Sequence, residues 1–112
     1  MIKVVNRLKR IFPKASFVLI GISDRGGNVG GEIKTLPAIP RMRDTQREIA
    51  RQTQIAFWDL FSAMGGENSM VNFTHATPPL AAKDYTHLNM RGGRKLAKKL
   101  SDALLYEEYR YE

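Results

Sequence analysis

Ile2, Val5, Leu8 and Phe12 recur at helical spacing with Lys3, Arg7 and Arg10 on the other faces, so residues 2–12 read as an amphipathic helix that Pro13 ends. The pattern then changes. Ser16 to Ile22 is an apolar run without alternation, the mark of a strand buried on both faces of a parallel sheet. From Ser23 to about Pro40 no period survives, and glycines stand at 26, 27, 30 and 31. That stretch reads as a long loop at the carboxyl end of a strand, either a flexible lid or a plain insertion. No Gly-Lys-Ser/Thr follows the glycines, so it is not a phosphate loop.

Helical spacing returns from Arg41 to about Thr53, with Met42, Ile49 and Ala50 inward and Arg43, Arg47, Glu48 and Arg51 outward. Ile55-Ala56-Phe57-Trp58 is a second buried strand. Asp59 follows at its end and is expected to cap the short turn Leu60-Phe61-Ser62-Ala63; as a catalytic acid it would lack a histidine nearby in sequence. Gly65 to Lys83 is aperiodic. After Asn89, a good N-cap, Leu96, Ala97, Leu100, Ala103 and Leu104 mark a last helix, whose polar aromatic tail from Tyr106 to Glu112 is expected to fray.

The order helix–strand–helix–strand–loop–helix is α/β, and residues 1–112 show no linker or internal repeat. It raises a physical problem. Two parallel strands, apolar throughout, supply too little sheet to be covered by helices on both faces, and each outer edge leaves N–H and C=O groups unpaired. More sheet is expected from elsewhere, from a missing N-terminal portion, another chain or a second copy.

Composition narrows the classes. Of 112 residues 43% are apolar, which argues against disorder, and no apolar run approaches the length that spans a membrane. No long apolar stretch of a signal peptide follows Met1. Without cysteine there is no disulfide and no cysteine-rich zinc site. The net charge of +7 invites a nucleic-acid or acidic partner. Yet the Lys and Arg residues are spread over helix surfaces and no aromatic residues interleave with them, so solvated faces are expected, with neither nucleic acid nor membrane bound.

The candidate chemistry lies in Lys83-Asp84-Tyr85-Thr86-His87. An acid and a histidine three residues apart can project from one turn to one point. The ring nitrogen nearer the acid then donates to it, and the other is free to take a proton from a nucleophile. The bland alternative is a loop Asp capping its own backbone beside a surface His. His75 has no acid within four residues on either side. Among the serines, Ser16 and Ser101 sit where hydroxyls are usually structural, and Ser62 lies in the short turn after Asp59. Ser23 stands at the carboxyl end of the first strand but opens a Gly-rich loop instead of the tight turn into a helix that a nucleophilic serine normally occupies, and Ser69 lies in an irregular loop.

Asp84-Tyr85-Thr86-His87 resembles the last block of the SGNH (GDSL-type) esterases and lipases. Phe57-Trp58-Asp59-Leu60, Met64-Gly65-Gly66, Asn68-Ser69-Met70, Pro78-Pro79-Leu80-Ala81 and Gly92 extend the match. The resemblance is to the subgroup that removes acetyl groups from polysaccharides or peptidoglycan, whose members are often secreted or periplasmic. It implies the C-terminal part of a three-layer α/β/α (flavodoxin-like) domain, with two parallel strands and about three helices. It further implies that Asp84 and His87 belong to a Ser-His-Asp triad, that Ser69 and Asn68 lie on the site's rim, and that no cofactor or metal is needed. The family's Gly-Asp-Ser nucleophile block and its oxyanion Gly and Asn are absent from this sequence. The chain is therefore expected to be inactive alone, its serine supplied by a missing N-terminal portion or a second copy. The other function class is a non-catalytic basic module that binds an acidic partner.

Overall fold

The computed structural model describes the backbone of residues 1–111 and the side chains of residues 1–105, and the expectation for the tail from Tyr106 lies outside those side chains. Helix α1 (Ile2–Ile11) leads to β1 (Val18–Ile20), and α2 (Ala38–Thr53) to β4 (Ala56–Trp58). β1 and β4 pair in parallel, Val18 opposite Ala56 and Ile20 opposite Trp58. Between β1 and α2 lies an antiparallel hairpin, β2 (Gly26–Val29) with β3 (Glu32–Thr35). After β4 come α3 (Leu60–Met64), α4 (Ser69–Thr74) and α5 (Met90–Tyr111). The chain is thus α/β, with one parallel strand pair among helices.

Local chemistry explains most boundaries. Asp59 accepts from Ser62 N at 3.0 Å and so caps α3, as its position after the strand predicted. It also accepts from Arg43 and Arg47 of α2 at 2.9 and 2.8 Å. Burial pushes this carboxyl up, but the Ser62 N–H and hydroxyl and the Arg43 guanidinium together hold it below the ordinary range. α2 starts at Ala38, earlier than its apolar period suggested, because Pro40 fits a first turn, where no N–H is needed. Two contacts moor the layers: Gln46 accepts from Ile22 N at 2.7 Å, and Lys9 donates to Thr53 O at 2.6 Å.

Three expectations are corrected. The stretch after Ser23 is not an open loop. It doubles back at Gly30-Gly31, both with positive φ, and forms the β2–β3 hairpin. Its base is held by Asp24, which is fully buried: one carboxylate oxygen accepts from Thr35 Oγ1 at 2.8 Å, the other from Met70 N at 2.9 Å. The stretch from Gly65 to Lys83 is not wholly irregular, since it contains α4. Finally, β1 is not buried on both faces: Val18 and Ile20 are 40% and 46% exposed.

The core sits between α3, α4 and α5, where Met64, Met70, Phe73, Ala81 and Leu96 pack together. On α1 only Val5 is buried, whereas Ile2, Leu8 and Phe12 of the same predicted face stay exposed. The apolar pattern is real, but nothing within the described residues covers it. The isolated chain is therefore expected to self-associate. Light scattering should give a mass above that of one chain, and thermal unfolding should depend on concentration. A monodisperse monomer unfolding at a concentration-independent temperature would count against this.

Candidate active site

Asp84 and His87 stand on a closed loop between α4 and α5. Its neck is the antiparallel bridge between Ala81 and Leu88, tightened by Ala82 N donating to His87 O at 2.8 Å. Inside, Asp84 Oδ1 accepts from Thr86 N at 2.9 Å and His87 N at 3.0 Å, and Tyr85 takes a left-handed φ of 56°. The bland reading of Asp84 as a cap of its own backbone is thus true of one oxygen. The other oxygen does more. Oδ2 lies 2.6 Å from His87 Nδ1, so Nδ1–H donates to it, while Nε2 has no partner among the described residues.

The electrostatics follow. The His87 ring and then the N–H groups of Thr86 and His87 hold the Asp84 carboxyl down at about 2. A carboxyl lowered on folding adds stability above its unfolded value near ~3.9, and that contribution is lost as pH falls through about 2. Because the side chain is half-exposed, the contribution is small, and the titration itself is the better readout. Carboxyl NMR should give Asp84 a midpoint near 2, moving up toward the ordinary range in His87→Ala. A midpoint already at about 3.9 in the unaltered chain would mean that the pair is not formed in solution.

The loop is held from three sides. At its exit, Asn89 caps α5, its Oδ1 accepting from Gly92 N at 3.0 Å while its Nδ2 donates to Pro79 O at 2.7 Å. Below it, Thr74 Oγ1 donates to Ala82 O at 3.0 Å. On the third side Gly26 of the hairpin donates to Tyr85 O at 2.8 Å. A Cβ on Gly26 would stand 3.0 Å from Tyr85 Cβ and 3.2 Å from Val71 Cγ2, so the approach suits glycine. The hairpin is thus a fixed wall of the loop, supported through Asp24.

Sequence reading missed Asp24, Gly26 and Thr35 as supports of this loop. Gly30-Gly31 was a usable signal, being a favoured hairpin turn. Of the rim residues, Asn68 is exposed, but its Oδ1 accepts from Thr35 N at 3.1 Å, and its own N–H donates to Thr35 Oγ1 at 2.7 Å. Ser69 is buried, its hydroxyl without a partner among the described residues. Ser62 Oγ donates to Asp59 at 2.8 Å, and Ser23 is half-buried. No serine is hydrogen-bonded to His87 among the described residues. His75 lies 3.4 Å from the Tyr85 hydroxyl through Nε2 and forms no ion pair among the described residues. No cluster of metal-ligating side chains occurs among the described residues.

No family model matches the chain, and no curated protein matches it. Among solved structures, a peptidoglycan O-acetylesterase is similar to it at 31% identity with a TM-score of 0.85. The similarity covers 99% of this chain and 31% of that one, so the chain spans under a third of the esterase's length. In architecture the chain is similar to one part of an esterase, and Asp84 and His87 lie within the matched span.

Proposed function

We propose that this chain is the Asp-His part of an SGNH-type carboxylic ester hydrolase acting on an O-acetylated polysaccharide, peptidoglycan above all. The observation that carries the reading is the 2.6 Å contact between His87 Nδ1 and Asp84 Oδ2, on a ring whose Nε2 is unengaged among the described residues. The likeness to a peptidoglycan O-acetylesterase over 99% of the chain supports the substrate class.

In this reading Asp84 stays ionised and fixes the tautomer, so Nε2 carries the lone pair. His87 takes the proton from a serine hydroxyl as the serine oxygen attacks the acetyl carbonyl. It returns that proton to the sugar oxygen as the acyl–oxygen bond breaks. Water, activated the same way, then releases acetate. The serine and the oxyanion donors come from outside these residues, from further sequence of the same protein or from a second copy. The open edge of β1 and its exposed Val18 and Ile20 are where that portion would complete the sheet.

The test is an assay of a short-chain aryl acetate with the purified chain. No turnover above the His87→Ala background is expected. Clear turnover that vanishes in His87→Ala and also in Ser23→Ala or Ser69→Ala would mean that the chain has built a complete site of its own.

A further inference from the structure

Helix α5 carries Arg91, Arg94, Lys95, Lys98 and Lys99, spaced i, i+3, i+4, i+7 and i+8, and all five are exposed. On one continuous helix these positions form a single stripe, about 12 Å long at 1.5 Å per residue. Leu96 lies on the other side, in the core, and Leu100 one turn on from it is half-buried. The stripe begins one turn after His87, and the exposed Lys83 stands immediately before Asp84.

This arrangement works against the helix that bears it. Like charges three and four apart repel, and Arg91 and Arg94 sit at the helix N-terminus, where the dipole disfavours cations. Compensation is sparse. Asp102 is the one acid between Met90 and Leu105, and none of the five cations forms an ion pair among the described residues. On α2 the cations are engaged, since Arg43, Arg47 and Arg51 all pair with acids, whereas Lys3, Arg7 and Arg10 of α1 form no ion pair among the described residues. On α5, Lys99 donates to Ala63 O at 2.8 Å and Lys95 lies over the Phe73 ring. The heads of Arg91, Arg94 and Lys98 hold no partner among the described residues. Gathered, uncompensated charge that costs helix stability points to an anionic ligand.

We propose that the α5 stripe docks a carboxylate-bearing glycan–peptide polymer and leads it to the Asp84–His87 loop. The proposal rests on the esterase reading for its choice of polymer: peptide stems on a glycan present carboxylates at intervals, and a linear array of cations suits a linear polyanion. The sequence expectation of evenly spread charge fails here. It holds for α2, whose cations pair with acids; α5 gathers five cations where α1 places three at similar spacing.

The experiment is co-sedimentation of the chain with insoluble peptidoglycan sacculi at low and high salt. Sacculi whose carboxylates have been amidated, and duplex DNA, form the other arms. Arg91→Ala/Arg94→Ala/Lys98→Ala removes only unpartnered heads, and alanine keeps the helix, which circular dichroism checks. Binding to native sacculi should fall about tenfold in this variant, with amidated sacculi and with high salt. Lys3→Ala/Arg7→Ala/Arg10→Ala, which removes equal charge from α1, should bind nearly as the unaltered chain does. His87→Ala should also bind normally, so a failed esterase reading would leave this result intact. Equal losses from the α1 and α5 variants, undiminished binding to amidated sacculi, or tighter binding to duplex DNA than to sacculi would overturn the proposal.

Discussion

Complemented with the serine-bearing portion of an esterase of this type, the chain is expected to hydrolyse an aryl acetate, with His87→Ala lowering kcat on the order of 10⁵-fold. Asp84→Ala should cost less, on the order of 10⁴-fold. The inequality follows from the proposed roles. In them His87 moves the proton, and its loss would remove the covalent route. Asp84 would only fix the tautomer and stabilise the imidazolium, and one of its oxygens is spent on the N–H groups of Thr86 and His87. At ~1.4 kcal/mol per decade these losses are about 7 and 6 kcal/mol of transition-state stabilisation. Michaelis constants should hardly move, since in the proposed roles neither group holds the substrate in the ground state. If His87→Ala kept kcat within about tenfold of the unaltered protein, the proposed role would be wrong. If Asp84→Ala fell further than His87→Ala, the carboxylate would be doing more than orientation.

Those two residues were legible in the sequence because everything that brings them together is local. Asp84, Thr86 and His87 close their contacts within three positions, and the capping contact of Asn89 to Gly92 also spans three. The same holds for the cap at Asp59. Long-range supports were not legible. Asp24 finds its partners 11 and 46 residues away, and no spacing rule reaches that far. The hairpin was hidden because Gly26-Gly27-Asn28-Val29 shows no alternation, leaving its glycine turn as the sole local signal. Apolar spacing marks the apolar positions of α1 and β1 but carries no information on what covers them. Val5 and Ile2 look alike in the pattern, although only Val5 is buried.

Gly92 and Gly93 are adjacent, and their alanine variants are expected to move stability in opposite directions. A Cβ on Gly92 would stand 2.0 Å from the Leu80 carbonyl oxygen and 3.3 Å from Leu88 Cδ2. The first contact is with backbone, and no rotamer relieves it. Either α5 must lift at its first turn or the segment from Pro79 to Ala81 must move. That segment is tied to the same turn by Asn89, through Leu80 O at 3.1 Å and Pro79 O at 2.7 Å. Gly92→Ala should therefore cost about 3 kcal/mol, lowering Tm by roughly 12–20 °C for a chain of this size. It should also loosen the neck of the loop that carries Asp84 and His87. A Cβ on Gly93 meets nothing within 4 Å. There alanine gives a better helix former without a clash, and Gly93→Ala should stabilise by about 0.5–1 kcal/mol. Paired calorimetric melts at one concentration measure both. Equal destabilisation by the two would mean that α5 begins later than Met90, and a neutral Gly92→Ala would mean that its first turn does not rest on Leu80.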